Sequence, residues 1–190
     1  MHRRQFTQAT ALALTTLPTL AFTQDKGFWT LLREGGCVLL MRHAQTTPGV
    51  GDPPNFTLSD CSTQRNLSDA GRKQARKVHA AFLRERIQIH QVRSSAWCRC
   101  VDTAMLAFKE NTVWAPLNSF FGTDEREMST RDVLDAVQGW QAPRNQVLVT
   151  HQVNITALTG QNPAMGEILL TRPGRDGSGT QLRVVARQTF

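Results

Sequence analysis

The sequence has no tyrosine and no apolar run long enough for a membrane-spanning helix, which needs about 18 consecutive apolar residues. Hydrophobic residues make up 40% of the chain and charged residues 19%, so neither a disordered chain nor a fibrous protein is expected. The 190 residues are enough for one compact domain. We therefore expect a globular protein without a stable membrane span.

Acidic residues are scarce relative to basic ones, with 15 Asp and Glu against 22 Lys and Arg and a net charge of +7. An excess of positive charge favours an anionic partner, which can be nucleic acid, lipid headgroups or a small phosphate. Nucleic acid is the weakest of these, because the sequence shows neither a known binding motif nor basic residues interleaved with aromatic ones.

Metal-binding spacing is also lacking. The four cysteines, Cys37, Cys61, Cys98 and Cys100, form no C-x-x-C pair and join no histidine at zinc-like spacing, so we expect neither a metal nor a cofactor. Cys37 opens an apolar segment and is expected to be a buried small side chain. An even cysteine count suits an oxidising compartment, and Cys61 is expected to form a disulfide with Cys98 or with Cys100.

The first 24 residues resemble an export signal. They contain Arg3 and Arg4 but no acidic residue, and a short apolar stretch follows. The run Arg-Arg-Gln-Phe resembles a twin-arginine signal, which implies the twin-arginine export machinery as a partner and a periplasmic location. We expect cleavage between residues 22 and 26, leaving residues 25–190 as a single domain. The alternative is an N-terminal amphipathic helix that stays attached.

Strand-like and helix-like segments alternate along the rest of the chain, and this alternation predicts an α/β three-layer sandwich. Its central sheet is expected to be mostly parallel, with helices on both faces. The predicted strands are 37–41, 87–92, 112–115 and 146–150; the helices are 68–86 (capped by Ser68), 97–109, 130–140 (capped by Ser129 or Thr130) and 152–160; and a closing antiparallel pair covers 167–171 and 182–187, joined by a glycine-rich turn at 173–179. Residues 46–66 form a long loop rich in glycine and proline, and such loops are often functional.

Polar residues follow three of the predicted strands. Arg42-His43 follows the first, Ser94-Ser95 follows the second with Arg99 close behind, and Thr150-His151 follows a later one. Ligands of parallel sheets gather at the carboxyl ends of the strands, so we expect these side chains to meet. Arginine forks match phosphoryl oxygens, and a neutral histidine can attack phosphorus. The arrangement predicts a phosphate-handling site.

Four blocks of the sequence resemble motifs of the histidine phosphatase (phosphoglycerate mutase-like) superfamily. They occur in the family's order: Leu-Met-Arg-His-Ala-Gln-Thr at 40–46, Asn-Leu-Ser-Asp-Ala-Gly-Arg-Lys-Gln-Ala at 66–75, Ser-Ser-Ala-Trp-Cys-Arg-Cys-Val-Asp-Thr-Ala at 94–104 and Val-Thr-His at 149–151. Within branch 1 of this superfamily, the chain is similar to small exported members that act on lipopolysaccharide core heptose phosphates. The resemblance implies a phosphoglycerate mutase-like fold.

The resemblance also implies a role for each matched residue. His43 would be the nucleophile that becomes phosphohistidine, and Arg42 and Arg99 would clamp the phosphoryl oxygens. His151 would be the second histidine of the phosphate pocket. Two positions depart from the family pattern: Ala44 replaces a glycine after the nucleophile, and Gln152 replaces a glycine often found after the second histidine.

The proton donor for the leaving group is less well marked. In the branch that the chain resembles, this acid follows the third strand, so Glu125 is the first candidate and Asp124 the second. Asp52 and Asp60, in the loop 46–66, are further candidates. Some compact members lack a dedicated acid and act on good leaving groups such as phosphohistidine.

These observations predict metal-independent hydrolysis of phosphomonoesters through a phosphohistidine intermediate. The short chain leaves only the loop 46–66 to cover the site, which implies an open pocket, and an exported enzyme would meet phosphorylated sugars of the cell envelope. Two alternatives remain: a phosphohistidine phosphatase, and a non-catalytic anion-binding or envelope interaction protein of the same fold.

Overall fold

A computed structural model describes residues 27–175 and 182–190. The predicted export signal and part of the predicted 173–179 turn lie outside these ranges. In chain order the elements are α1 (Phe28–Glu34), β1 (Val38–Arg42), α2 (Asp69–Arg84), β2 (Gln91–Ser94), α3 (Cys98–Phe108), β3 (Thr112–Val113), α4 (Arg126–Val137), β4 (Gln146–Thr150), α5 (Gln152–Thr159), β5 (Ile168–Arg175) and β6 (Leu182–Gln188). None of the helices in these ranges combines the length and apolarity that a bilayer crossing requires.

The strands form one six-stranded sheet in the order β3-β2-β4-β1-β5-β6. The first four strands in this order are parallel, and β5 and β6 complete the sheet as an antiparallel pair. The expected α/β sandwich with a mostly parallel sheet and the expected closing pair are confirmed.

The side chains of β1 alternate between the two faces of the sheet, as a strand requires. Leu39 and Met41 belong to an apolar cluster that includes residues of α1, α2 and α3. Val38 and Leu40 belong to a second cluster with residues of α4 and α5. The unbroken apolar run of β1 therefore reflects a strand that is buried on both faces.

The register of the parallel strands places three carboxyl ends at one edge of the sheet. Arg42 lies opposite Thr150, and Ser94 lies opposite Val149. The backbone N–H of His43 donates to the Thr150 carbonyl at 3.0 Å, so the polar residues that follow β1 and β4 are direct neighbours.

The start of α2 holds the segment that follows His43. The Ser68 side chain caps the helix by accepting from the Gly71 N–H, as predicted. The backbone N–H of Ser68 donates to the Gln45 carbonyl at 3.0 Å. The Gln74 side chain accepts from the Gln45 N–H at 3.2 Å and donates to the Met165 carbonyl at 2.9 Å. Residues of the block 66–75 thus hold the backbone beside His43 in place through these hydrogen bonds.

The predicted bounds differ from the structure in several places, and β3 ends at Val113 rather than at residue 115. Helix α4 begins at Arg126 rather than at residue 130, so neither Ser129 nor Thr130 is its cap, and Glu125 occupies the N-cap position without a side-chain capping bond. Strand β2 begins at Gln91, because Ile87 and Ile89 pack on the core from irregular backbone. Helix α1 was not predicted, since its seven residues are too few to show a clear period.

Replacing Gly71 with alanine should destabilise the fold by about 1 to 3 kcal/mol, because the new methyl group would collide with the backbone carbonyl of Gln45. Gly139→Ala is the matched control, because no atom lies within 4 Å of the added group. This control should change the free energy of unfolding by less than about 1 kcal/mol. Urea denaturation of both variants measures the difference, and equal stabilities would show that the contact at Gly71 relaxes freely.

Candidate active site

A cavity of about 470 Å³ opens at the carboxyl ends of β1, β2 and β4. Six charged or ionisable side chains line it: Arg42, His43, Asp52, Arg65, Arg99 and His151. The four residues predicted to share a pocket therefore do so. Within the described ranges, no group of three His, Cys, Asp or Glu residues is arranged to hold a metal ion.

His43 is buried, and one hydrogen bond fixes its tautomer. Its Nδ1 lies 2.9 Å from the carbonyl oxygen of Ala44. A carbonyl oxygen can only accept, so in the neutral ring Nδ1 carries the proton and Nε2 keeps the lone pair. A neutral imidazole with a free lone pair in an anion-sized cavity is a suitable nucleophile for phosphorus.

Burial and nearby positive charge keep this ring neutral. Burial, with the charges of Arg99, Arg42 and Arg65 acting in the same direction, lowers the pKa of His43 to about 3. At neutral pH the ring therefore keeps its lone pair without a base to remove a proton from it.

His151 directly precedes α5, at the N-cap position, and its ring centroid lies 5.6 Å from that of His43. Its Nε2 lies 2.8 Å from Ser95 Oγ and 3.6 Å from Cys100 Sγ, both of which can donate. Such donors favour the tautomer with the proton on Nδ1. Burial, followed by the charges of His43 and Arg99, lowers the pKa of His151 well below its usual value. In the empty site, both histidines are neutral.

Arg42 and Arg99 each use part of their guanidinium group to hold the protein together. Arg42 Nη1 donates to the Pro163 carbonyl at 2.9 Å, and Arg99 Nη1 donates to Asp52 at 2.7 Å. In both, the buried Nε has no hydrogen-bond partner in the described ranges. Both side chains nevertheless line the shared cavity, and guanidinium groups fit a ligand with several acceptor oxygens.

Asp52 is the one carboxylate that lines the cavity in the described part of the chain. It accepts from Arg99, from the Trp97 indole at 3.0 Å and from the Arg65 backbone N–H at 2.9 Å. Burial alone would raise the pKa of Asp52, but these hydrogen bonds, led by that of Arg99, lower it below its usual value.

The other predicted proton donors do not line this cavity. Glu125 and Asp124 are both exposed, and Glu125 stands at the N-cap position of α4. Asp60 is also exposed and accepts from the Ser62 N–H at 2.9 Å, so it caps the short 3₁₀ helix Cys61–Thr63. Of the four candidates, only Asp52 reaches the site.

The loop 46–66 forms a fixed wall of the cavity. Cys61 and Cys98 form a disulfide, which settles the predicted pairing, and Gln64 accepts from the Cys98 N–H at 2.9 Å. Their sequence separation of 37 residues implies about 4 kcal/mol of unfolded-chain entropy removed by the cross-link. Cys100 and Cys37 are free and buried, and burial raises the pKa of Cys100 to about 12.

Apolar side chains surround the polar floor of the cavity. Phe56 and Trp97 contact each other with ring centroids 5.8 Å apart. Val50 and Phe121 are 93% and 71% exposed, although both are apolar and both line the cavity. Exposed apolar groups beside a polar pocket mark a contact surface for the rest of a ligand.

Sequence reasoning missed Arg65 as a residue of the site. It lies in the loop wall, with its backbone N–H on Asp52, and it contributes a third guanidinium to the cavity. The cysteine pattern held a usable signal, because a Cys61–Cys98 pair brings the end of this loop beside Arg99. The pairing could not be chosen from the sequence alone.

The sheet, its flanking helices and the cavity of arginines and histidines define a phosphoglycerate mutase-like histidine phosphatase fold. Residues 38–129 match the family described as the histidine phosphatase superfamily (branch 1). The matched segment contains Arg42, His43 and Arg99, so the predicted resemblance to this branch is confirmed for it. No curated protein matches the chain. The finer resemblance to heptose phosphate phosphatases stays a prediction.

Solved structures share the fold at low sequence identity. The protein histidine phosphatase SixA in complex with tungstate is 16% identical, with a TM-score of 0.55 over 80% of this chain and 96% of that one. A protein provisionally named phosphohistidine phosphatase SixA, from Agrobacterium tumefaciens, is 15% identical, with a TM-score of 0.56 over 81% and 97%. An Escherichia coli protein provisionally named alpha-ribazole-5′-P phosphatase is 16% identical, with a TM-score of 0.55 over 79% and 95%.

His43 should remain neutral far below the pH at which histidine usually titrates. In the unfolded chain the His43 ring takes up its second proton at about pH 6.5, whereas in the folded protein it does so only at about pH 3. Stability should therefore decrease as the pH falls through this window. Ring ¹⁵N shifts between pH 7 and 4.5 test this, with His43→Gln identifying the signal. A His43 midpoint near 6.5 in the empty site would contradict the prediction.

Proposed function

We propose that this protein is a branch 1 histidine phosphatase that hydrolyses phosphomonoesters through a phosphohistidine on His43. The observation that carries the proposal is the tautomer of His43, whose Nε2 lone pair is free beside the arginines of the cavity. The proposed route needs no metal, because the guanidinium groups supply the positive charge that the phosphoryl oxygens require.

The reaction takes place in two displacements. His43 Nε2 forms a bond to phosphorus while the ester P–O bond breaks, and the leaving oxygen takes the electron pair and needs a proton. Water then attacks phosphorus, the P–N bond breaks, and its electron pair returns to Nε2. Arg42 and Arg99 hold the peripheral oxygens throughout both steps, and His151 donates from Nδ1 where negative charge develops.

We further propose that Asp52 supplies the proton. In the empty site Arg99 keeps this carboxyl ionised. A bound phosphoryl dianion adds negative charge beside Asp52 and competes for Arg99, and both effects raise the pKa of Asp52. The same carboxylate can then accept a proton from the attacking water.

For the substrate, we propose a phosphorylated sugar of the cell envelope. Three features support it: the exposed apolar rim at Val50 and Phe121, which suits the apolar face of a sugar ring; the open mouth of the cavity; and the export signal predicted at residues 1–24. The export signal also supports a periplasmic location.

A phosphohistidine phosphatase is the second candidate function. It is favoured by the ion-paired state of Asp52, because a phosphohistidine substrate has a good leaving group and needs less help from an acid. The SixA structures share the fold and carry this activity in their names.

His43→Ala should lower the turnover of p-nitrophenyl phosphate in EDTA by at least about a thousandfold, because no other group takes the role of the nucleophile. His79→Ala, outside the cavity, is the matched control. Acid-labile label from a radioactive ester should appear on the wild type and not on His43→Ala. Turnover that survives the His43 substitution would contradict the proposal. Tungstate binding without any wild-type turnover would favour the non-catalytic alternative.

Asp52→Asn should reduce kcat/KM for an alkyl phosphate at least about tenfold more than for p-nitrophenyl phosphate, because only the poor leaving group needs a proton. Comparing the two esters cancels the shared effect of losing the contact between Asp52 and Arg99. Glu125→Gln, the control, should affect both esters alike. An unchanged ratio in Asp52→Asn, with steep dependence of wild-type kcat/KM on leaving-group pKa, would favour the phosphohistidine substrate.

A further inference from the structure

Arg65 has the position of a ligand-binding residue, although it belongs to none of the four family-like blocks. It lines the same cavity as His43, and its Nη1 donates to Thr46 Oγ1 at 2.7 Å and to the Gly49 carbonyl at 3.0 Å. Its buried Nε has no hydrogen-bond partner in the described ranges. The hydrogen bonds of Nη1 therefore hold the side chain in place where it lines the cavity.

The two predicted phosphate-binding arginines do not supply hydrogen-bond donors for all the acceptor positions of a phosphoryl group. Arg42 gives Nη1 to the Pro163 carbonyl, and Arg99 gives Nη1 to Asp52. A transferring phosphoryl group spreads its charge over three peripheral oxygens, each able to accept more than one hydrogen bond. Two partly engaged guanidinium groups and one neutral histidine do not saturate these acceptors.

We propose that Arg65 is a third phosphoryl-binding guanidinium, which completes a cradle with Arg42 and Arg99. The inference rests on the proposed function and extends it, because nothing in the sequence blocks assigns a ligand to Arg65. The chemical class recognised is a tetrahedral oxyanion with two negative charges, either free or as the end of a phosphomonoester.

The charges of the cavity also favour an anion-binding role for Arg65. Among the described residues, three guanidinium groups share the cavity with one lining carboxylate, and that carboxylate pairs with Arg99 at 2.7 Å. Burial together with the charge of Arg65 lowers the pKa of Arg42, and Arg65 also contributes to the lowered pKa of His43. Like charges that share a cavity repel one another, and a bound dianion would relieve the repulsion.

The position of Arg65 is fixed by the chain around it. Its backbone N–H donates to Asp52, its carbonyl accepts weakly from Arg99 at 3.5 Å, and the neighbouring Gln64 is bonded to the Cys98 backbone. The Cys61–Cys98 disulfide closes the same segment onto α3. A guanidinium anchored in this way loses little side-chain entropy when a ligand binds.

Four variants of the full chain separate ligand binding from a structural role. Arg65→Gln removes the charge, and Arg65→Lys keeps the charge without the fork. Thr46→Val removes the hydrogen-bond acceptor of Arg65 but leaves its charge, and Arg76→Gln removes an exposed charge of α2 away from the cavity. Calorimetric titration with inorganic phosphate and with tungstate measures affinity, and thermal unfolding of each empty variant checks the fold.

Arg65→Gln should weaken phosphate and tungstate binding roughly 10- to 100-fold, the range of one charged hydrogen-bonding group. Arg65→Lys should recover part of the loss, and Thr46→Val should lose less than Arg65→Gln, because the Gly49 carbonyl still accepts from Arg65. Arg76→Gln should stay within about threefold of wild type. Wild-type affinity in Arg65→Gln would overturn the proposal. So would a loss in Thr46→Val equal to that in Arg65→Gln, since Arg65 would then act by holding the loop. If Arg65→Gln does not fold, the test rests on Arg65→Lys. Wild-type affinity in that variant would contradict the proposal that the guanidinium group of Arg65 binds the anion.

The titration also separates this proposal from the proposed function. Binding of inorganic anions requires no turnover, so a wild type that binds phosphate through Arg65 but hydrolyses no ester refutes the phosphatase proposal alone. An active wild type whose anion affinity is unchanged in Arg65→Gln refutes the Arg65 proposal alone.

Discussion

The parallel pairing of β4 between β1 and β2 is the constraint on which the rest of the site depends. Each of these strands ends at the same edge of the sheet, and the residue that follows each strand lines the cavity or hydrogen-bonds to a residue that does. Backbone hydrogen bonds from His43 to Thr150 and from Ser95 to Val149 extend the pairing beyond the strands. Residues distant along the chain are thereby brought into one cavity.

Concentrated positive charge is the second organising feature. Arg42, Arg65 and Arg99 surround two buried histidines, and Asp52 is the one carboxylate among the described residues that line the cavity. Burial, aided by this positive charge, keeps His43 and His151 neutral. The same charge would stabilise a phosphoryl dianion. One arrangement of charge would thus serve both parts of the proposed function, the binding of the anion and the nucleophile.

The predicted elements that succeeded share a physical cause. Strand β4 matched its predicted bounds, because an apolar run this short between polar residues is typical of a buried strand and too short for a buried helix. Helix α2 was predicted from Ser68 because a capping hydroxyl satisfies backbone donors locally. Helix α4 was displaced, because its amphipathic pattern is weak and no side chain caps its true start.

The α/β class, the shared cavity of Arg42, His43, Arg99 and His151 and the burial of Cys37 could be predicted from the sequence, since each follows from local pattern or from contiguous blocks. The pairing of Cys61 with Cys98 and the presence of Asp52 and Arg65, but not of Glu125 and Asp124, in the cavity became visible only in the folded chain. These contacts join the loop 46–66 to α3, and no periodic pattern in the sequence predicts which residues of the two segments meet. Their distances depend on how a long irregular segment folds back on the sheet, and that is a property of the packed chain as a whole.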